Sequence, residues 1–442
     1  MDIPTPALSI AIIGTGISGM AAAWLLNQNH RVTVFEQDRR MGGHANTVRV
    51  DREGGVVPVD TGFIVYNETN YPNLTELLRH LDVPTRPTEM SFAASLGDGA
   101  FEYGGGSLGA LFAQKRNLLR PQFWSMLRDL ERFFREAPGD LAQADHDLIS
   151  LGDYLNRKGY GQAFQQRHLI PMAAAIWSAS AADIRAYPAH AIMRFYQNHG
   201  LLKFTNRPIW RTVIGGSAAY VGKLTRPYAG QVRLNTGVTK IRRLPGGVEI
   251  RDTQGETHRF DHVVIATHAD QALALLDDPT DAETSLLSPF RYARNFAVLH
   301  DDDRFMPKRK RVWSSWNYVQ RQAHPAPEIT YWMNLLQGLT ETAPLFVTLN
   351  PQRMPQPDRI LASEWYEHPQ FDAAALRAQR HLSSLQGVGH TWYCGAYFGA
   401  GFHEDGLGSG LAVAESLGGV SRPWSVSPAA QWDGVITEAV IR

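Results

Sequence analysis

Near the C-terminus the run YCGAYFGAGFHEDGLGSGL, residues 393–411, sets His403, Glu404 and Asp405 among six glycines. A histidine titrating near neutrality beside carboxylates can carry protons, whereas one at a helix start, bonded to its neighbours, only holds structure. Both readings stay open for His403. Glycines at this density imply a backbone that passes close to something large and flat. At the other end of the chain, Gly14-Thr15-Gly16-Ile17-Ser18-Gly19 has the G-x-G-x-x-G spacing, and Glu36 stands 22 residues beyond Gly14. Gly14 permits a tight turn, Gly16 lets backbone reach a pyrophosphate, Gly19 brings a helix against a strand, and Glu36 accepts bonds from a ribose hydroxyl. That chemistry is dinucleotide binding. No hydrolytic triad or metal cluster is recognisable, so no metal is expected. Cys394, the only cysteine, excludes an intrachain disulfide and reads as a small buried hydrophobe or a reactive thiol.

The elements needed to position these residues follow from periodicity. Residues 8–13 (LSIAII) form a short apolar strand, 17–29 have helical spacing, and 31–36 (RVTVFE) form a second strand, together a βαβ unit. From 104 to about 200 the chain turns helical and aromatic. Within it, 108–137 repeats apolar residues at three and four, is broken by Pro121, and carries Lys115, Arg116, Arg120, Arg128, Arg132 and Arg135. Such a segment either lies on a membrane surface or is a helix with one solvated face. Strand alternation returns at 232–241, 247–251 and 258–266. It recurs in the Trp- and Tyr-rich run 296–367, which includes RVWSSWNYV and EITYWMNLLQ. Residues 392–396 read as a strand and 406–417 as a helix, with the last dozen residues as a loose tail.

At 442 residues the length favours two joined domains. Apolar residues at 44% and charged residues at 19% suit a globular protein. Lys plus Arg and Asp plus Glu number 43 each, so no global field recruits nucleic acid. The N-terminal apolar run lacks the basic flank of a signal peptide, and no stretch reaches the ~20 apolar residues that span a bilayer. The expected location is cytoplasmic, with peripheral contact at the inner membrane.

Two further stretches, DRRMGGHANTV at 38–48 and VPVDTGFIVYN at 57–67, complete a pattern that resembles the flavin-containing amine oxidase and phytoene-desaturase superfamily. There, the acid is followed by an arginine, a glycine pair and usually a second arginine, then by a strand carrying Asp-x-Gly beside the flavin. Arg39 or Arg40 takes the first arginine's place, Gly42 and Gly43 the pair, and His44 stands where the second arginine is usual. Asp60 and Gly62 match the Asp-x-Gly, an ordinary hairpin being the other reading. TVIGGSAAYVGKL, 212–224, resembles the family's Gly-Gly turn and helix, and Val238 and Ala266-Thr267 match the return to the cofactor domain. The closing motif places Glu404, Ser409 and Gly410 in register, with Asp405-Gly406 replacing Gly-Ala. Gly395-Ala396 replaces a Gly-Asp whose acid bonds the ribityl chain, so Glu404 or Asp405 is expected to substitute.

The resemblance thus implies non-covalent FAD, contacted by the 14–19 loop, by Glu36 and Gln37, by the residues just named, and by Thr61 and Phe63. It implies a mixed α/β fold. A Rossmann-like FAD-binding domain is assembled from 1–70, 205–270 and 388–442, with an inserted substrate-binding domain of sheet plus helices from 71–204 and 271–387, of which 104–200 is helical. Within the superfamily, VDTGFIVYNETNYPNL and CGAYFGAGFHEDGLGSGL look most like a bacterial subgroup associated with cyclopropane-fatty-acid-synthase-like methyltransferases. That resemblance implies a fatty-acyl chain as substrate, desaturated or with its double bond moved, and a lipid-modifying methyltransferase as partner. Tyr66, His403 and Glu404 are the candidates for direct action. Two other readings are an amine oxidase, with Tyr397 and Phe398 as an aromatic cage, and a non-catalytic FAD-binding partner of the methyltransferase.

Overall fold

A computed structural model describes residues 7–143, 149–177, 179–203, 205–322, 326–339 and 343–426. The expected loose tail lies outside them. Strand Ser9–Ile13, helix Ile17–Leu26 and strand Arg31–Phe35 form the βαβ unit. They nucleate a five-stranded parallel sheet in which Val232–Arg233, Arg31–Phe35, Ser9–Ile13, His262–Ile265 and Thr391–Tyr393 lie in that order. Alternation along the first strand separates two apolar layers. Ile10 and Ile12 pack with Met20, Leu25, Leu407 and Leu411 of two helices. Ala11 and Ile13 face the other way, towards Ile241 and Ile250 of the antiparallel sheet Val238–Leu244, Gly247–Asp252 and Thr257–Phe260.

Helix Ile17–Leu26 and the C-terminal helix His403–Ser416 cross with almost no side chain between them. A Cβ built on Gly19 falls 2.0 Å from the Gly14 carbonyl oxygen, and one on Gly410 falls 2.1 Å from the Ser18 carbonyl oxygen. The helix starts at His403, three residues before the expected 406, so the His-Glu-Asp triplet is its first turn. Asp405 accepts from the Phe402 N–H at 2.8 Å and caps it.

A seven-stranded mixed sheet forms the second layer system, ordered Ile360–Gln370, Arg291–His300, Phe346–Leu349, Glu328–Trp332, Trp316–Gln320, Phe92–Leu96 and Phe101–Gly104. Its pairs are antiparallel except Trp316–Gln320 with Phe92–Leu96. The expected strand EITYWMNLLQ changes character at Met333. The Met333 N–H donates to Leu345 O, and Met333–Gln337 coils into a helix that Gly338 ends at φ 64°. Phe133, Leu155, Phe164 and Ile192 from the helical region pack in one core with Tyr318 and Tyr331 of this sheet. The basic amphipathic segment is divided into Leu108–Leu111, a 3-10 turn Lys115–Leu119, and helix Pro121–Gln143. A small sheet of Tyr66–Asn67, Trp210–Val213 and Thr85–Thr88 joins strands from both sides of residue 71.

The helix crossing makes a specific demand. Gly410→Ala is expected to cost about 3 kcal/mol, the upper end of overpacking, because backbone rather than a flexible side chain must move. Gly222→Ala, where the new methyl meets nothing within 4 Å, should stabilise the helix Ala218–Thr225 by about 1 kcal/mol. Urea unfolding of both variants measures the contrast, and equal midpoints would show that the crossing tolerates a methyl.

Candidate active site

The carboxyl ends of the parallel strands and the mouth of the helix crossing open into a cavity of about 1660 Å³. Ligand pockets usually span roughly 300–1,000 Å³, so this one has room for a cofactor and a second molecule. One end is polar and rich in glycine: Gly14, Thr15, Gly16, Gly42, Gly43 and Thr267 line it, with Arg40. Gly14 turns at φ 97°, and a Cβ there would meet Ala266 O at 2.9 Å. At Gly16, by contrast, a Cβ meets nothing within 4 Å. The chain leaves that space open at the N-cap of the ten-residue helix Ile17–Leu26, where helix amides stabilise phosphate charge.

Glu36 explains how the loop is held. One carboxylate oxygen accepts from the Thr15 N–H at 2.9 Å and from the Thr15 hydroxyl, and the other accepts from the Asp38 N–H at 2.9 Å. A carboxylate has about four acceptor positions, so one is left at the cavity for a ribose hydroxyl. Arg40 donates to Gly43 O at 2.8 Å and pairs with Glu364 at 3.8 Å, while Arg39 is exposed and off the cavity. Of the two candidates for the family's arginine, only Arg40 reaches the site.

Gly62 lets two segments cross: its Cβ would fall 2.2 Å from His44 O, and Phe63 N–H donates to that same oxygen at 2.8 Å. Asp60 does not reach the cavity. Its carboxylate accepts from the Thr47 hydroxyl at 2.6 Å, Ser217 N–H at 2.9 Å and the Gln337 amide at 3.1 Å. Burial pushes that carboxyl up to about 7, against the lowering pull of Thr47 and Ser217.

His403 lines the cavity, stacks on Phe63 at 3.9 Å and bonds through Nε2 to the Tyr220 hydroxyl at 2.7 Å. Burial lowers the imidazole to about 3, so it is neutral at ordinary pH. The two other candidates for direct action lie elsewhere. Glu404 accepts from Asn73 N–H at 2.8 Å, Asn73 Nδ2 at 2.9 Å and Leu74 N–H at 3.0 Å, and so caps helix Pro72–His80. Tyr66 is buried in the apolar layer beside Tyr71. Glu404 and Tyr66 are therefore corrected to structural positions.

Most residues expected at the cofactor line the cavity: Ile17, Ser18, Gln37, Val238, Ala266 and Gly395, with those already placed. Gly19, Asp405 and Ser409 stand behind it. Ser409 accepts from Gly395 N–H at 3.0 Å and so fixes the turn rather than meeting a ligand. Cys394 is buried and its thiol is pushed up by burial, which removes the reactive reading. Among the described residues one grouping has metal-ligand spacing, Asp252, Glu256 and His258 within 4.8 Å. It is on a hairpin, none of the three lines the cavity, and Asp252 already bonds His258 at 2.9 Å.

Strand Ile360–Gln370 supplies residues that sequence reasoning missed. The Tyr366 hydroxyl accepts from Asn46 Nδ2 at 2.9 Å and meets the Thr61 hydroxyl at 2.7 Å. His368 lies 5.3 Å from His44, ring to ring, and His268 stacks on Tyr292 at 4.1 Å. Burial lowers all three histidines, and mutual repulsion with His368 lowers His44 further. The only advance signal was EWYEHP inside a strand read as generally aromatic.

These residues fit FAD: an open glycine loop on a helix start, a partly unsatisfied ribose-side carboxylate, and a long cavity between two glycine-rich turns. Gly16→Val should leave the melting temperature of the apoprotein unchanged, since its Cβ space is empty, and lower FAD retention at least about tenfold by filling the pyrophosphate approach. Visible absorbance of the purified variant decides it, full flavin content contradicting the assignment. His403→Gln should leave unshifted the pH profile of anaerobic flavin reduction between about pH 5 and 9, because the imidazole is already neutral there. Disappearance of an inflection in the variant would instead make His403 a proton carrier.

Comparison with known proteins agrees with this geometry. Residues 17–300 match the model of the flavin containing amine oxidoreductase family. AofH of Mycobacterium tuberculosis, whose name describes a flavin-containing monoamine oxidase, is 27% identical over 299 residues, covering 64% of this chain and 62% of AofH. The chain thus spans less than two thirds of that relative. Cyclohexylamine oxidase from Brevibacterium oxydans IH-35A superposes with a TM-score of 0.67 at 17% identity, covering 93% of this chain and 100% of the other. The CLA-producing fatty acid isomerase from P. acnes gives 0.64 at 15% identity over 93% and 98%. At these identities the two structures share the fold. With the family model spanning well over half its length, the chain belongs to the flavin containing amine oxidoreductase family.

Proposed function

We propose that this oxidoreductase acts on a long apolar chain, a fatty-acyl group, desaturating it or relocating a double bond. The observation that carries this reading is the composition of the cavity beyond the cofactor end. There the walls are Phe92, Met126, Leu130, Phe134, Met172 and Ile176, with Trp177, Phe195 and Trp210. Across the lining contributed by residues 90–134 and 168–210, no carboxylate occurs among the described residues and the single charged side chain is Arg207. His168 is held neutral, lowered to about 4 by burial first and by Arg207 second.

Such a limb stabilises methylenes at about 0.8 kcal/mol each. These segments offer a protonated amine no counter-charge, the described cavity carboxylates being Glu36, Asp38, Glu364 and Glu367, whereas Arg207 suits an anionic head group. The P. acnes neighbour is by title a fatty acid isomerase, which is compatible with this reading on the shared fold.

FAD, held by the 14–19 loop, Glu36 and Arg40, would supply the hydride acceptor, and its attachment is read as non-covalent. The chain's own residues do the rest. The apolar walls exclude water and align the chain. The Phe63 ring and Tyr220 hydroxyl fix His403 as a neutral wall residue. Tyr397 lines the cavity with its ring, packed against Phe290 and Phe398, while its hydroxyl is buried and unpartnered among the described residues.

Amine oxidation is the second reading, favoured by AofH and by the amine oxidase neighbour. Its expected Tyr397–Phe398 cage is not formed, because Tyr397 lines the cavity and Phe398 does not. Anaerobic titration of the holoprotein with bacterial membrane lipid extract should bleach the flavin band, or change double-bond position by mass spectrometry without bleaching. Inert lipids together with peroxide release from small amines would establish the amine reading instead.

A further inference from the structure

The cavity's apolar limb runs to the surface at Leu108, which lines it and is 75% exposed. The neighbouring residues carry further bare apolar side chains: Leu118 at 46%, Leu119 at 87% and Trp124 at 48%. These four are unusual for a water-facing segment, and they are held rather than loose. Trp124 Nε1–H donates to Leu118 O at 2.9 Å, Asn117 Nδ2–H donates to Glu102 O at 2.9 Å, and Phe112 and Phe123 pack against Trp124.

Interleaved with them are Lys115, Arg116 and Arg120, none with a carboxylate partner among the described residues. Arg116 and Arg120 instead donate to Ala100 O at 2.6 and 2.8 Å. Beside them Arg120 and Arg167 flank a recess of about 490 Å³ floored by Phe101. The long helix Pro121–Gln143, the more obvious basic element, offers less: Arg132 faces Asp129 and Glu136, and Arg135 pairs with Glu131 at 2.7 Å.

We propose that residues 108–124 dock the protein on an anionic phospholipid bilayer. Leu118, Leu119 and Trp124 enter the head-group boundary, Lys115 and Arg116 meet anionic lipid, and the Arg120–Arg167 recess takes a lipid phosphate. Apolar and basic side chains on one rigid patch are the combination that holds a protein in the interfacial plane. The cavity mouth at Leu108 then faces the acyl region. That last step rests on the fatty-acyl reading, while docking itself rests only on the surface residues.

Co-sedimentation of the FAD-loaded protein with vesicles therefore tests docking without turnover. Wild type should bind vesicles containing phosphatidylglycerol and leave phosphatidylcholine vesicles unbound at about 0.1 M salt. L118E/L119E and K115E/R116E should each weaken partition at least about tenfold while flavin content and melting temperature stay at wild-type values. R132E/R135E should bind as wild type. Failure of wild type to bind, or retained binding in both patch variants, overturns the proposal. So does a fall in the lipid-free protein's sedimentation mass in L118E/L119E, which would make the patch a contact between copies of this chain.

Discussion

The structure depends on two backbones touching where side chains would ordinarily keep them apart. Helix Ile17–Leu26 rests on strand Ser9–Ile13 through Gly19, and helix His403–Ser416 rests on Ser18 through Gly410. Remote parts of the sequence thereby place two helix starts at one end of one cavity. Each start contributes amides and positive dipole to the same space. A cofactor with charge at its pyrophosphate, and developing charge at its ring, is served by both. Loss of either contact would separate the two halves of that field, even with every lining side chain in place.

Around this crossing the buried carboxylates act as ties between segments. Asp60 gathers the Thr47, Ser217 and Gln337 donors, and Glu404 gathers the start of helix Pro72–His80. Both are pushed up to about 7 by burial despite their donors. The cavity itself is left with neutral imidazoles and, in its far limb, a lining without acids. These two carboxylates are thus spent behind the wall, while the lining from 90–134 and 168–210 has Arg207 as its one charged side chain.

The glycine loop, Glu36 and the closing helix were legible because each is a backbone requirement that only certain residues satisfy at that spacing. Gly14, Gly16 and Gly19 behave as the turn, the open approach and the helix contact that their pattern implies. Tyr66 and Glu404 were not legible. A polar residue near a motif has the same spelling whether it faces the ligand or caps a neighbouring helix, and only the meeting of Asn73 and Glu404, 331 positions apart, decides which. Tyr366 and His368 escaped for a related reason: they meet Thr61 and His44 from a strand some 300 residues away, a contact that local periodicity does not encode, and His268 stacks on Tyr292 of the paired strand. The basic run 108–137 was visible as composition, but its exposed leucines and its internal ion pairs belong to different pieces of it.

The order of strands in the parallel sheet bears on how the protein is made. Ser9–Ile13 acquires its first neighbour, Arg31–Phe35, almost at once on a ribosome, yet its other neighbour is His262–Ile265 and the edge strand is Thr391–Tyr393. Translation proceeds at roughly 5–20 residues per second, so the first βαβ unit waits tens of seconds with one flank bare. Its second glycine-rich wall, at 395–410, emerges later still. Capture of FAD therefore waits until the 395–410 turn has joined the 14–19 loop, and a chain that meets no flavin would complete its sheet around an unfilled gap between the two glycine-rich walls.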